Sequence, residues 1–274
     1  MSPGPSQTSD LSSHPVVLAA SALAQQHHAR YDPSHDFHHV TRVRRLAVSI
    51  AKSLNSTCSS SPESGADGQL PVDVLVVTLA ALTHDLLDAK YLPPGAPSSA
   101  RGLLEPFWAQ YSAEEISEEQ RRLVERVVEN VSYSKEKKRI AAGEETEWHR
   151  TSRELHCVQD ADKLDAIGAF GIMRCAAYSA ITSRPLYLPP VSPSPSPQQA
   201  PLSSSSSAAS PSDDSAIAHF HDKLLKLEAL MKTPRGKELA RRRTEFLRVF
   251  VGEVEREWAE GGEEEGQKVV VVDA

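Results

Sequence analysis

Cysteine is scarce here and unpatterned: Cys58, Cys157 and Cys175 are the only three in 274 residues, with no CxxC pair and no even framework. That speaks against a disulfide scaffold and fits a reducing compartment. No apolar run approaches the roughly 18 residues that a membrane helix requires. The start of the chain lacks the basic segment and apolar core of a secretion signal. Neither a glycine-rich phosphate loop nor a GxSxG elbow is present, no internal repeat is visible, and no serine or cysteine cluster offers a nucleophile. The net charge of −7 argues against a surface that coats nucleic acid, but leaves room for a local phosphate pocket. The expectation is a soluble intracellular protein, cytoplasmic with the nucleus left open. Its expected partner is a small molecule, with no nucleic-acid polymer and no membrane. Oligomeric state is not readable.

What is present is helical patterning. Hydrophobic residues make up 39% of the chain and proline is frequent, which suggests a globular core with disordered additions. Residues 1–13 are rich in serine and proline and read as a disordered N-terminus. A single helical domain is expected over 14–258. Its first helix runs from His14 to about Arg30, with Val16, Leu18, Ala19, Ala22 and Leu23, and ends before Asp32-Pro33. A second begins near Asp36, where Val40, Val43, Ala47, Ile50, Ala51 and Leu54 recur at three- and four-residue steps. His39 stands four residues before Val43, on that inward face.

Residues 55–70 read as a loop. From Pro71 an almost uniformly apolar helix is predicted to run through His84-Asp85, the central helix of the bundle. Asp88 would then lie one turn beyond His84. Pro93-Pro94-Gly95 and Pro97-Ser98-Ser99 mark a surface loop. Ser117-Glu118-Glu119-Gln120 is a capping box, and the helix behind it ends near Ser132–Lys135. The charged stretch Glu136–Glu147 reads as a solvated face or loop. One long helix is predicted from Arg153 to Ile181. Residues 189–214, nearly all Pro, Ser, Ala and Gln, read as a disordered insertion. Phe220, Leu224, Leu227 and Met231 restore helical spacing. A last amphipathic helix carries Leu239, Phe246, Phe250, Val254 and Trp258 ahead of an acidic tail, 259–274.

The chemistry concentrates at Ala80-Ala81-Leu82-Thr83-His84-Asp85-Leu86-Leu87-Asp88. An adjacent imidazole and carboxylate at the end of an apolar helix are costly unless paired, and a divalent cation takes both donor types. Two other stretches belong with it: His35-Asp36-Phe37-His38-His39-Val40-Thr41-Arg42-Val43, and Val158-Gln159-Asp160-Ala161-Asp162-Lys163-Leu164-Asp165-Ala166-Ile167-Gly168. The order His, His-Asp, distant Asp resembles the HD-domain superfamily of metal-dependent phosphohydrolases. More narrowly, it is similar to the small HD hydrolases typified by bacterial nucleotide pyrophosphohydrolases, with HDxxHxxRV, HDxxD and DADxLDAIGA-like motifs. The match runs from about His35 to Trp258.

The resemblance implies an all-α HD-domain bundle holding one divalent transition metal through His39, His84, Asp85 and Asp162. Such a mixed nitrogen and oxygen set suits Mn²⁺, Fe²⁺, Co²⁺, Ni²⁺ or Zn²⁺ without choosing among them, and Mn²⁺ is the leading expectation. It also implies that Asp88 handles the proton of the attacking water or of the leaving oxygen. Arg42, three residues after His39, is positioned to hold a phosphate. Lys90 and Lys135, just past motif-bearing helices, are further candidate phosphate contacts. Asp165 matches the family pattern and is grouped with them, as a residue that fixes a ligand or a basic side chain.

Between Asp160 and Asp162, helical geometry turns the two about 160° apart, so one helix cannot aim both at one ion. Asp162 shares its sector with Leu155, Val158 and Asp165 and matches the family unit. It is therefore taken as the ligand and Asp160 as a structural hydrogen-bonding group. The expected activity is hydrolysis of a small phosphorylated metabolite, foremost a nucleotide. A phosphomonoesterase or phosphodiesterase on the same centre, or a catalytically silent sensor or scaffold, remains open.

Overall fold

A computed structural model describes residues 11–59, 70–88, 92, 95, 97–188 and 214–262. Lys90 and residues 189–213 of the Ser/Pro segment lie outside them. Among the described residues there are eleven α-helices and no strand: α1 (Pro15–His28), α2 (Phe37–Ser59), α3 (Val74–Thr83), α4 (Ala100–Trp108), α5 (Glu118–Asn130), α6 (Tyr133–Ala142), α7 (Glu147–Thr151), α8 (Arg153–Asp165), α9 (Gly168–Ile181), α10 (Ala216–Asp222) and α11 (Pro234–Glu260). None of the single helices is long and apolar enough to cross a membrane.

The centre of the bundle is α3. Every residue from Val76 to Thr83 is buried, as a helix apolar on all sides requires. It starts at Val74 rather than Pro71, because the Asp73 carboxylate accepts from the amides of Leu75 (2.9 Å) and Val76 (3.1 Å). The other Asp73 oxygen accepts from Gln120 Nε2 at 2.8 Å, and Glu154 accepts from the Asp73 amide at 3.1 Å. One cap thus ties the ends of α3, α5 and α8 together. Gln120 is also the return arm of the Ser117 capping box. Around α3 pack α1, α2, α5 and α8, and the most extensive pairing in the molecule is α2 on α8. Val40, Val43, Ala47, Ile50 and Ala51 on α2 are fully buried, which is the inward face expected from their spacing.

Several elements differ from expectation. The predicted helix over 153–181 is two helices meeting at 67°. Ile167 is extended (φ −127°, ψ 164°), and Gly168 adopts φ 75°, a conformation that side-chain-bearing residues avoid. A Cβ on Gly171 would sit 2.3 Å from the Ala166 carbonyl oxygen, so α9 can fold back closely only with glycine there. The stretch 136–147 is mostly helix rather than loop, and Glu136 on α6 is buried because Lys163 and Lys232 neutralise it at 2.6 and 2.5 Å. Residues 100–108 form α4, where no helix was expected, with Pro106 inside it. The segment around Phe220–Met231 is α10 followed by a 3₁₀ helix over Leu224–Leu230. On α11 the buried face is Leu239, Ala240, Thr244, Leu247 and Val251, leaving Phe246 and Trp258 more than half exposed.

Candidate metal centre

The helix α3 ends one residue before the His-Asp pair. His84 to Leu87 form a turn, with the Leu86 amide donating to the Thr83 carbonyl (3.2 Å) and the Asp88 amide to the Asp85 carbonyl (3.0 Å). This corrects the expectation of a helix through His84-Asp85 with Asp88 a full helical turn beyond. The tighter turn lets His84 point into the bundle while Asp85 stays partly accessible.

Three helices converge on this turn. His39 of α2 and His84 are buried, and their rings meet edge to face at 5.2 Å. Asp85 Oδ2 lies 3.4 Å from His39 Nε2 and 3.3 Å from His84 Nε2. Asp162 Oδ1, from α8, stands 3.8 Å from both nitrogens. His39, His84 and Asp85 offer donor atoms all within 4.8 Å of one another, and Asp162 is the outer member. The carboxylates are about a quarter exposed (24% and 27%), so the imidazoles form a floor and the acids a mouth.

The tautomers can be deduced. His39 Nδ1 donates to Asp165 Oδ2 at 2.7 Å, and His84 Nδ1 donates to the Ala81 carbonyl at 2.9 Å. Both acceptors only accept, so in each neutral ring Nε2 carries a lone pair and no proton. His84 Nε2 is buried with no hydrogen-bond partner. Two Nε2 atoms therefore face two carboxylates, an arrangement that needs positive charge between them, supplied by a proton on a ring or by a cation. Burial opposes charging His84, yet Asp85 and Asp162 outweigh it and raise its pKa to about 9. Burial likewise pushes against ionising Asp85, but the imidazoles hold it well below the usual carboxylate range. The residues fit a divalent cation, with two imidazole nitrogens and two carboxylates as donors and the opposite ring nitrogens fixed by hydrogen bonds.

Asp165 lies behind His39 rather than at the mouth. It is 1% exposed and receives Arg42 Nε (2.7 Å) and a second Arg42 nitrogen (3.0 Å) in a fork, Arg174 at 3.1 Å, and His39. Burial would raise its pKa, but these donors depress it strongly. Arg42 is thus engaged with Asp165 and stacks on Phe170 at 4.4 Å. Lys135 is exposed and reaches the Glu129 carbonyl at 3.4 Å, a helix-junction contact. Asp160 is fully buried and accepts from the amides of Lys232 (3.0 Å) and Thr233 (2.7 Å) and from the Thr233 hydroxyl (2.7 Å). Asp88 is half-buried beside the cluster. Tyr31 senses it: burial raises the phenol's pKa, and the charges of Asp88 and Asp85 add to this against the opposing charge of Arg30.

Sequence reasoning missed a wall of this site. His27 bonds the Tyr31 hydroxyl at 3.0 Å, His28 Nδ1 bonds the His35 carbonyl at 2.8 Å, and Arg174 holds the Ser34 carbonyl at 2.7 Å. The available signal was the density of His27, His28, Tyr31 and His35 just ahead of α2. Nothing in the sequence singled out Arg174.

Comparison with known proteins agrees with this geometry. A family model described as HD domain matches residues 36–167. An uncharacterized protein, YpgQ of Bacillus subtilis (strain 168), is 29% identical over 223 residues, covering 81% of this chain and 84% of the relative. The crystal structure of Bacillus subtilis YpgQ in complex with ADP superposes with a TM-score of 0.60 at 27% identity, covering 88% of this chain and 97% of that one. A structure from Lactobacillus plantarum does so with a TM-score of 0.60 at 27% identity, over 89% and 97%. At 23% identity, an HD-superfamily hydrolase of Bacillus thuringiensis shares the fold (TM-score 0.57, 88% and 96% covered). The ordered histidines and aspartates, the helical frame around them and these matches agree: residues 36–167 carry an HD domain, and over most of its length the chain is similar to YpgQ.

Proposed function

We propose that this chain is a metal-dependent phosphohydrolase of small nucleotides, cleaving a phosphoanhydride to release pyrophosphate, with Mn²⁺ as the preferred ion. The observation that carries the reading is the pair of Nε2 atoms, on rings whose Nδ1 is tied up by hydrogen bonds, facing Asp85 and Asp162 at a partly open mouth. The ADP bound to YpgQ supports the nucleotide as substrate class. His39, His84, Asp85 and Asp162 would hold the ion. When bound, a divalent cation supplies acidity to water and positive charge to a phosphate oxygen.

The rest is performed by side chains. Asp88 accepts a proton from the attacking water as the new O–P bond forms and the P–O bond to the leaving pyrophosphate breaks. The Asp165 carboxylate keeps His39 in its Nδ1–H tautomer, so that Nε2 remains a donor atom, and Arg42 and Arg174 lock that carboxylate in place. The deciding experiment is a screen of nucleoside tri-, di- and monophosphates with Mn²⁺ and other divalent ions, identifying each product. Pyrophosphate from a triphosphate is expected. His84→Ala should lose both bound metal and turnover. Asp88→Ala should keep the metal and lose roughly two to four orders of magnitude in rate. Orthophosphate as the only product would replace this reading with a phosphomonoesterase, and turnover surviving in His84→Ala would refute the metal centre.

A further inference from the structure

Beside the metal centre lies a cavity of about 330 Å³, walled by Ser34, His35, Arg174, Tyr178, Arg184, His219 and Lys223 over a small-residue floor of Ala166, Gly171 and Cys175. It adjoins the cluster on two sides. The His35 ring packs against that of His39 at 6.4 Å, and Arg174 is bonded to the same Asp165 that orients His39. Among the described residues that line it, three side chains are cations, Arg174, Arg184 and Lys223, and none is a carboxylate. Outside the lining, Asp165 is divided among Arg42, Arg174 and His39, Asp214, exposed, lies 2.9 Å from Arg184, and Lys223 Nζ sits 5.0 Å over the Tyr133 ring.

Such a concentration of positive charge is unexpected in a chain of net charge −7. Its field is felt locally: His219 has a lowered pKa, by burial first and then by Lys223 and Arg184. A concave site with convergent cations and no acid selects a polyanion.

Resting on the nucleotide-hydrolase reading, we propose that this cavity binds the diphosphate portion of the substrate beyond the scissile bond, with Arg184 and Lys223 as its specificity-determining contacts. Arg174 links that portion to the metal centre, since one guanidinium borders the cavity and holds Asp165. The site then distinguishes nucleotides with two further phosphates from monophosphate esters, and after cleavage it holds the leaving pyrophosphate.

The test is direct titration of the full chain with pyrophosphate in the presence of a chelator, so that no ion bridges the ligand and no turnover occurs. Pyrophosphate should bind far better than orthophosphate. Arg184→Gln and Lys223→Gln should each weaken it about 10- to 100-fold, the loss of one charge-assisted contact. Lys223→Arg should restore binding. Asp214→Asn, which frees Arg184 from its carboxylate, should tighten binding by about two- to fivefold. A merely structural role would make Arg184→Gln and Asp214→Asn change binding in the same direction. Equal pyrophosphate affinity in wild type and both glutamine variants overturns the proposal, as does no pyrophosphate binding in chelator. Because binding is read without hydrolysis, a chain that binds pyrophosphate here but cleaves no nucleotide refutes the hydrolase and keeps the pocket. A chain that cleaves nucleotides with these variants binding normally does the reverse.

Discussion

At the scale of single residues, Asp160 and Asp162 show how two identical side chains, two positions apart, take opposite roles. Helical geometry alone separates their directions. Asp162 opens on the two Nε2 atoms at 3.8 Å, whereas Asp160 binds the amides that start α11. Asp162→Asn should therefore strip the metal while leaving the melting temperature of the metal-free protein nearly unchanged. Asp160→Asn should keep the metal and cost about 1–3 kcal/mol, because one amide group cannot replace a buried carboxylate accepting from three donors. Metal analysis and thermal unfolding separate the two, and metal loss confined to Asp160→Asn would reverse the assignment. The convergence of His39, His84, Asp85 and Asp162 was readable because their order along the chain resembles the HD-domain pattern, each standing within or at the end of an apolar helical stretch. Arg174 was not readable. A lone arginine on a helix carries no spacing signal, and only the fold brings it to Asp165.

At the scale of elements, the misread segments share a physical cause: tertiary partners overrode local pattern. Continuous helical spacing across 153–181 suggested one helix, yet the backbone breaks at Ile167-Gly168. Gly168→Ala should cost about 1–2 kcal/mol for its left-handed conformation. More follows from its Cβ, which would meet Arg243 Cγ at 3.1 Å and disturb the guanidinium that holds the Leu164 carbonyl. A melting temperature equal to wild type would show that the break is relaxed.

The charged run at 136–147 looked solvated because a buried Glu136 can be recognised only once Lys163 and Lys232 are known to reach it. Burial would raise the pKa of Glu136, but the two ammonium groups win and lower it below its ordinary value near 4.5. The sign follows: stability from this cluster is complete above about pH 4.5 and is lost as pH falls through the depressed folded value. Glu136→Gln should flatten that acid limb and cost about 3–5 kcal/mol at neutral pH, since it leaves the buried Lys163 without its counter-charge. Denaturant titrations of both proteins from pH 7 to pH 3 check both claims. An unchanged acid limb in the variant would assign the pH dependence to other carboxylates.

At the scale of the whole molecule, the chain is organised as one apolar core whose helices deliver the site from widely separated stretches. That order survives a long interruption. The Ala216 amide donates to the Pro185 carbonyl at 2.8 Å and the Ile217 amide to the Leu186 carbonyl at 3.1 Å, while Arg184 pairs with Asp214 at 2.9 Å. The chain on either side of residues 189–213 is thus pinned together by its own backbone. What lies between need not hold α9 and α10 in register. Replacing residues 190–213 by a short Gly/Ser linker should leave the far-UV helical signal intact. Closing a loop several times shorter should raise stability by up to about 1 kcal/mol. Turnover should stay within a few-fold, because a stretch of almost only Pro, Ser, Ala and Gln has too little apolar area to contribute packed surface to the site. Thermal unfolding and steady-state kinetics on the shortened chain decide it. A melting temperature well below wild type would mean that the backbone pairs at Pro185 and Leu186 do not suffice. Preserved stability with lost turnover would mean that the excised residues contribute to the site itself.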